Sequence, residues 1–371
     1  MRIAFDCRLF GLTLADEPFS VINLVRTIIG LAEKDEFFLI FDQTPPADWQ
    51  SLNNTRLLTL KPSAKTAAMR AIWYDLRLPA LLSHHQINLF VGTCGYISLR
   101  TSVKQILVLN DMLSGESLPD ATGWKSVWYK GRLAAMLRKA SKRIIPAKAL
   151  IAELGSGRGE TNFEILPFFA GNHYVHHLSE SEQKNIKEKF TGGAEFFYCE
   201  EGWNNTGDAV NLLLAFSAFK KRMQTSMKLL LAGKDPGDKD WKEKLELYRF
   251  REDVIIIPGN TPRPERMRLL FAAYGLIHLP SGPRTGILPL ALMAGIPVIA
   301  SPNELSREMA GDAALYCTAN PGESLAQNLM RLYKDEKLRN ECISSGKLIS
   351  KNWDMETAAR AFYKMALSSK D

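Results

Sequence analysis

Residues 275–301 decide the fold of this chain, and they read GLIHLPSGPRTGILPLALMAGIPVIAS. The apolar runs at 275–279 and 297–300 predict two buried strands. Between them, a loop rich in glycine and hydroxyl groups leads into a helix predicted at 287–294. A strand, a helix and a second strand in this order indicate a parallel sheet with helices on its faces.

The same alternation extends over most of the chain. Helices are predicted at 208–220, 240–248 and 264–273, and Asp354 is placed to cap a last helix, Met355–Leu367. An irregular stretch at 168–178 predicts a linker. We therefore expect two doubly wound α/β domains. The remaining strands are predicted at 2–6, 37–41, 57–60, 87–91, 106–109, 143–145 and 163–167 in the first domain, and at 195–199, 228–232, 253–258 and 313–317 in the second.

The composition is that of a soluble globular protein, since 46% of the 371 residues are hydrophobic and 23% are charged. It excludes disordered and collagen-like chains. No window has the ~18 uninterrupted apolar residues of a membrane span, and the N-terminus lacks a secretory signal, so we expect a cytoplasmic protein. The five cysteines lack C-x-x-C spacing and are expected to be buried free thiols. They are Cys7, Cys94, Cys199, Cys317 and Cys342.

Residues 123–148 contain eight Lys and Arg residues and no acidic residue. Apolar residues are interleaved with them as in an amphipathic helix. One interpretation is a helix that packs on the core and exposes a basic face. The other is a helix docked on an anionic membrane surface, which favours a peripheral location at the inner face of a membrane. The membrane contacts would be Trp124, Lys125, Trp128, Lys130 and Arg132. Nucleic acid is not an expected partner, because no recognised binding motif accompanies the charge.

The loop at 280–286 is the strongest candidate for a ligand site. Free N–H groups at the start of a helix attract anions, and the Arg284 guanidinium can bind a phosphate with two hydrogen bonds. An ordinary strand-to-helix turn is the alternative. The predicted phosphate-binding residues are Ser281, Gly282, Arg284, Thr285 and Gly286, together with Gly233 and Lys234 after the strand at 228–232. In doubly wound sheets ligands bind outside the carboxyl ends of the strands.

Several short motifs resemble those of the retaining glycosyltransferases of family 4, in the family's order along the chain. In the second half they are Pro280-Ser281, Gly295-Ile296-Pro297-Val298-Ile299-Ala300-Ser301, Gly311-Asp312-Ala313-Ala314-Leu315 and Asn352-Trp353-Asp354. In the first half Phe5-Asp6-Cys7-Arg8 is similar to the family's F-D-A-R, and Leu109-Asn110-Asp111 to its I-H-D. The resemblance implies a GT-B fold, in which two Rossmann-like domains face each other across a nucleotide-sugar cleft.

The resemblance also implies a domain division and an activity. The N-terminal, acceptor-side domain would span residues 1–172, the C-terminal, donor-side domain 173–352, and a crossover helix 353–371 would return to the N-terminal domain. The activity would be transfer of a sugar from a nucleoside-diphosphate sugar to an acceptor, with retention of configuration. No cofactor or metal is implied. Asp111 and Asn110 are the candidate catalytic residues.

The sequence departs from the family where the donor diphosphate binds. The family's glycine pair falls on Asp16 and Pro18, and a carboxylate there repels phosphate while proline lacks an N–H donor. The family's arginine and lysine fall on Thr206 and Gly207. We therefore expect either a glycosyltransferase with an altered donor site, or an inactive relative that binds a sugar or a partner protein. The family's two glutamates fall on Arg284 and on Leu290 or Leu292, and the histidine of its I-H-D motif is Asn110.

Two further possibilities have little support from the residues. His173, His176 and His177 lie close together in the linker, but surface histidines are a commoner explanation than a metal site, because no cysteine or carboxylate sits nearby at ligand spacing. A sugar-nucleotide epimerase on the same architecture would need an acid–base pair, and none is recognisable.

Overall fold

A computed structural model of the chain divides it into two compact units. Unit 1 consists of Met1–Gly171 and Trp353–Asp371, and unit 2 of Asn172–Asn352. The residues that the structure describes are 1–8, 21–46, 49, 54–64, 66–109, 124–154, 162–166, 168–170, 178–280, 286–318 and 321–368, with the side chains of residues 67, 124–130, 153 and 321 left out.

Unit 1 is built on a parallel sheet of seven strands in the order β3-β2-β1-β4-β5-β6-β7. The direction of winding reverses between β1 and β4, which makes this pair the switch point of the sheet. The strands are β1 (Arg2–Asp6), β2 (Glu36–Phe41), β3 (Thr55–Thr59), β4 (Leu89–Gly92), β5 (Lys104–Val108), β6 (Lys142–Ile145) and β7 (Phe163–Ile165). The helices are α1 (Val21–Leu31), α2 (Ala67–Ile72), α3 (Leu78–His84), α4 (Trp124–Lys139) and α5 (Ala149–Glu153).

Both faces of this sheet are buried, which explains why its strands are continuous apolar runs. In β1, Ile3 and Phe5 belong to one hydrophobic core, and Ala4 between them belongs to the other. The first core is shared with α1, and the second contains Trp73 and Tyr74. Residues Trp73–Arg77, between α2 and α3, form a π-helical turn.

Unit 2 is built on six parallel strands in the order β10-β9-β8-β11-β12-β13. This is the strand order of the Rossmann fold. The direction of winding reverses between β8 and β11, so this pair is the switch point of the sheet. The strands are β8 (Phe196–Glu201), β9 (Lys228–Leu231), β10 (Val254–Ile256), β11 (Gly275–His278), β12 (Val298–Ala300) and β13 (Ala314–Tyr316). The helices are α6 (Glu180–Thr191), α7 (Thr206–Met223), α8 (Lys239–Glu246), α9 (Arg263–Ala272), α10 (Leu288–Ala294), α11 (Glu304–Ala310), α12 (Pro321–Lys334) and α13 (Glu336–Ile349).

The last helix, α14 (Met355–Leu367), packs on unit 1. The Asp354 carboxylate accepts a hydrogen bond of 2.8 Å from the Thr357 N–H and caps the helix, as predicted. Ala358 and Phe362 are buried in the same core as α1 and β1. The predicted α/β class, with two Rossmann-like sheets and a final helix that returns to the first of them, is therefore confirmed.

The structure differs from the sequence prediction mainly at element ends. Pro264 was expected to start its helix, but α9 begins at Arg263, so Pro264 occupies the second position. The proline still leaves no hydrogen bond unmade, because the first N–H groups of a helix have no partner in the helix. All five cysteine side chains are buried, and none of the five is in a disulfide. Among the described residues, no helix has the length and hydrophobicity that crossing a bilayer requires.

Candidate functional site

The carboxyl ends of β8, β9 and β11 lie side by side in unit 2, at the switch point of its sheet. Glu201 is the last residue of β8 and pairs in register with His278, the last residue of β11. Gly233 and Lys234 follow β9, on the other side of β8. We call this edge, formed by Glu201, Gly202, Gly233, Lys234, His278 and Gly286, the donor edge.

Two glycines allow the backbone segments of the donor edge to approach closely. Gly202 has φ +91°, and a Cβ atom there would lie 2.0 Å from the carbonyl oxygen of Leu279. Gly233 has φ +97°, and a Cβ atom there would lie 2.6 Å from the carbonyl oxygen of Glu200. Side chains at either position would be strained and would collide with backbone. Glycine is thus required where β8 meets both of its neighbours.

A carboxylate and an imidazole meet beneath Gly286. His278 is fully buried, and its Nδ1 lies 3.8 Å from Oε2 of Glu201, whose side chain is 27% exposed. Gly286 has φ +48°, and a Cβ atom there would lie 2.7 Å from Oε2 of Glu201 and 2.9 Å from Cε1 of His278. The chain leading into α10 therefore closes directly over this pair. The sequence contained no sign of the contact between His278 and Glu201, because these residues are far apart along the chain.

The neighbouring carboxylate, Glu200, has a structural role. It forms an ion pair with Arg266 of α9 and accepts a 3.1 Å hydrogen bond from the hydroxyl of Tyr198. Glu201 is thus the acidic side chain of β8 that reaches the donor edge.

Thr206 and Gly207 stand where the family has an arginine and a lysine. Both residues are neutral, and both lie in the first turn of α7. Asn205 caps this helix by accepting a hydrogen bond from the Asp208 N–H. The Thr206 hydroxyl donates a hydrogen bond to the Asp238 carboxylate, and this bond is the main cause of the lowered pKa of Asp238. A negative charge therefore lies beside the position that the resemblance assigns to a cation.

The positions of the family's second glutamate are part of the core. Leu290 and Leu292 lie in α10, and both are buried. Their apolar side chains pack α10 on unit 2, so either residue provides packing instead of a carboxylate.

Lys234 supplies a positive charge at the donor edge. Its side chain is exposed and makes no ion pair with any residue that the structure describes. An exposed amine with no carboxylate partner is available to a ligand phosphate. Gly233, Lys234 and Gly286 thus lie at the same edge of the sheet, and their role in phosphate binding stays a prediction.

Most of the other predicted site residues lie outside the described part of the chain, and their roles stay predictions. These are Asp16, Pro18, Asn110, Asp111, His173, His176, His177, Ser281, Gly282, Arg284, Thr285 and the side chains of Trp124, Lys125, Trp128 and Lys130. Among the described residues, no three His, Cys, Asp or Glu side chains are grouped as metal ligands.

Arg132 does not belong to the predicted membrane patch. Its side chain is only 7% exposed and forms a 2.8 Å ion pair with Asp75, whose other oxygen accepts a hydrogen bond from the Leu99 N–H. A guanidinium held in this way fastens α4 to unit 1 and cannot reach a lipid head group. Arg132 is therefore removed from the patch.

In unit 1 a network of buried polar groups lies at the carboxyl end of β1. Asp6 is fully buried, and its carboxylate lies 3.4 Å from Nε of Arg8. The Tyr74 hydroxyl accepts a 2.9 Å hydrogen bond from the same Nε and donates one to Asp6. The sequence showed Asp6 and Arg8 only as part of a family motif, and Tyr74 was missed because it is far away along the chain.

One comparison with known proteins matches a family to the segment that contains the donor edge. Residues 181–348 match the family of glycosyl transferases group 1. The matched segment lies within unit 2 and contains the whole donor edge. The comparison with curated proteins finds no match.

Several solved structures share the fold over almost the whole chain. HepE from Anabaena, solved with UDP-glucose, has a TM-score of 0.67 at 15% identity, covering 99% of this chain and 100% of its own. A glycosyltransferase from Rickettsia africae has a TM-score of 0.69 at 9% identity, covering 99% and 98%. WaaG, a glycosyltransferase involved in lipopolysaccharide biosynthesis, has a TM-score of 0.64 at 15% identity, covering 98% and 99%. These similarities show that the chain has the GT-B fold.

Proposed function

We propose that the protein is a glycosyltransferase that takes a sugar from a nucleoside-diphosphate sugar and transfers it with retention of configuration. The observation that carries this proposal is the coincidence of the family match, residues 181–348, with a glycine-lined edge at the switch point of unit 2. Doubly wound sheets bind nucleotides at that point. The UDP-glucose complex of HepE makes a uridine nucleotide the first donor to test.

The donor diphosphate would be held by a displaced set of groups. Lys234 and Arg284 would neutralise the phosphates, and the backbone at Gly233 and Gly286 would approach them closely. Ser281, Gly282 and Thr285 would supply further donors from the loop before α10. On the acceptor side, Asn110 and Asp111 follow β5 and would contact the transferred sugar or the acceptor.

The second candidate function is a non-catalytic relative that binds a sugar or a partner protein. The arrangement around Thr206 favours it, because the hydroxyl is engaged by Asp238 where a cation would be expected. The Glu201 carboxylate at the donor edge also repels a diphosphate. Losing one phosphate-binding cation costs about 2–4 kcal/mol of leaving-group stabilisation, or a factor of tens to hundreds in rate.

Calorimetry followed by donor hydrolysis separates the two functions. The full chain is titrated with UDP-glucose, other sugar nucleotides and the free nucleotides, and each donor that binds is then assayed for release of sugar. Binding with turnover supports the transferase, and binding without turnover supports the non-catalytic module. If no sugar nucleotide binds, the transferase proposal fails, and the result points to a non-catalytic scaffold.

The location that we propose is cytoplasmic, with a peripheral contact at the inner face of a membrane through α4. The support is the run of basic residues between 123 and 148, which carries no acid. The patch, corrected for Arg132, consists of Trp124, Lys125, Trp128 and Lys130.

A further inference from the structure

The guanidinium of Arg8 is enclosed at the carboxyl end of β1, at the switch point of unit 1. Its side chain is only 7% exposed. The Cζ atom lies 5.6, 5.0 and 5.9 Å from the ring centres of Trp73, Tyr74 and Tyr96. Three aromatic rings thus restrict the position of the guanidinium, and an arginine in such a setting loses little further freedom on binding a ligand.

Among the described residues, the hydrogen-bond partner of this guanidinium lies on its Nε side. Nε donates a 2.9 Å hydrogen bond to the Tyr74 hydroxyl and lies 3.4 Å from Oδ1 of Asp6. The two oxygens of Asp6 also receive hydrogen bonds from the Tyr74 hydroxyl and from the Arg8 backbone N–H. Within the described ranges, no residue accepts a hydrogen bond from either terminal nitrogen of Arg8. These nitrogens form the fork with which arginine binds oxyanions.

The local charge favours an anionic ligand. Burial alone would lower the pKa of Arg8, but the neighbouring Tyr74 and Asp6 outweigh it and raise the pKa above its ordinary value, so the group stays charged. A second guanidinium, that of Arg70, lies 5.6 Å from the ring of Tyr96, which Arg8 also contacts. Arg8 and Arg70 therefore both contact the ring of Tyr96.

The backbone that supplies Tyr74 is itself unusual. Trp73 and Tyr74 open the π-helical turn Trp73–Arg77, and both side chains are fully buried. Single π-helical turns are uncommon and often occur at functional sites. Here the turn places the hydroxyl that holds Nε of Arg8.

We infer that Arg8 is the centre of an anion-binding site in unit 1, whose terminal nitrogens bind a phosphate or carboxylate group of a small ligand. Tyr74 is the positioning residue, since its hydroxyl accepts the hydrogen bond that fixes Nε. The site lies outside the donor edge of unit 2, and the inference does not depend on the transfer reaction.

Calorimetric titration of the full chain at low salt tests the inference with four probes. Inorganic phosphate and glucose 6-phosphate carry a phosphate, glucuronate carries a carboxylate, and glucose carries no charge. We expect saturable binding of phosphate compounds or of glucuronate, and none of glucose. Binding of the phosphate probes alone assigns a phosphorylated ligand, and binding of glucuronate alone assigns a carboxylic acid. Absence of binding by all three anions would overturn the inference.

Variants locate the binding at Arg8. Arg8→Lys keeps the charge but removes the fork, and we expect about tenfold weaker binding of the anion, the effect of one lost charged hydrogen bond. Arg132→Lys changes another buried arginine of unit 1 and should keep the wild-type affinity. An Arg8→Lys protein that is folded by circular dichroism and binds the anion as tightly as the wild type would overturn the inference.

A second variant keeps the test decisive if Arg8→Lys does not fold. Tyr74→Phe retains the ring and the ion pair but removes the hydroxyl that holds Nε. We expect a several-fold weaker affinity and a shift of the Arg8 Nε resonance in ¹⁵N-arginine spectra. If that resonance also fails to move when the anion is added to the wild type, Arg8 is not the binding group.

Discussion

Nδ1 of the buried His278 lies 3.8 Å from Oε2 of Glu201, at the switch point of unit 2. The pair places a carboxylate at the edge where a diphosphate is expected to bind. We predict that Glu201→Gln tightens the binding of a sugar nucleotide about fivefold, because removing a like charge near the phosphates at the protein surface is worth about 1 kcal/mol. Calorimetric dissociation constants measure the change.

The control for this prediction lies at the other end of the same strand. Glu195 precedes β8 and forms an ion pair with Lys187, so Glu195→Gln makes the same change of charge away from the donor edge. It should leave the dissociation constant unchanged. Weaker binding by Glu201→Gln would show that the carboxylate contacts the ligand favourably, for example through a sugar hydroxyl.

The glycine at the end of β8 offers a prediction on stability. Gly202→Ala places a methyl group 2.0 Å from the Leu279 carbonyl oxygen at φ +91°, and we expect it to lower the free energy of unfolding by about 3 kcal/mol. Gly207→Ala, in the first turn of α7, meets only an ordinary contact at 3.4 Å with the Asn205 side chain. It should change stability by less than about 1 kcal/mol. Urea denaturation of both variants checks the difference, and equal stabilities would contradict the close approach.

The stability of unit 2 should depend on pH through Asp253. This carboxylate lies 2.8 Å from the ammonium groups of both Lys220 and Lys228. Burial alone would raise the pKa of Asp253, but hydrogen bonds from the two lysines outweigh it and hold the pKa below its ordinary value. As the pH falls, Asp253 is therefore protonated in the unfolded chain before it is protonated in the folded protein. Its stabilising contribution is present above about pH 4 and is lost as the pH falls through the folded-state pKa.

Asp253→Asn reveals this contribution. At pH 7 we expect it to lower the free energy of unfolding by about 2 kcal/mol, since it leaves the buried Lys220 without its counter-charge. The difference from wild type should shrink toward pH 3. Asp240→Asn removes an exposed pair with Lys244 and should cost less than about 0.5 kcal/mol. A deficit for Asp253→Asn that does not change between pH 7 and pH 3 would exclude the ion pairs as its cause.

The membrane proposal is tested with vesicles. We expect the protein to sediment with vesicles that contain anionic phospholipid, not with neutral vesicles, and to be released at about 0.5 M salt. Lys125→Gln with Lys130→Gln should abolish this binding. On the same helix, Arg138 and Lys139 are exposed, and replacing both by glutamine makes an equal change of charge outside the patch. Equal binding to neutral vesicles, or none to either, would remove the proposal.

Much of the fold could be predicted from the sequence because its signals are local. Each predicted strand coincides with an observed strand to within a few residues, since both faces of these sheets are buried and their strands are continuous apolar runs. The cap at Asp354 is likewise fixed by residues three positions apart. The π-helical turn at Trp73–Arg77 has no such local signal, and it was missed.

The contacts at the two switch points could not be predicted, because they depend on strand pairing. Glu201 meets His278 only because β8 and β11 are neighbours in the sheet, although they are far apart in sequence. Tyr74 meets Arg8 for a comparable reason, across 66 residues. A useful signal was nonetheless present. Glu201 is the last residue of a central apolar strand, and Arg8 lies two residues after the end of another. Doubly wound sheets bind ligands at the carboxyl ends of such strands.

Calorimetric titration of the full chain with UDP-glucose, and with adenosine and guanosine diphosphate sugars, tests the proposed donor site most directly. We predict saturable binding of at least one sugar nucleotide, thermal protection by the same compound, and loss of both in Lys234→Ala and Arg284→Ala. If no sugar nucleotide binds, or if both variants bind as tightly as the wild type, the donor edge of unit 2 is not the site that we propose.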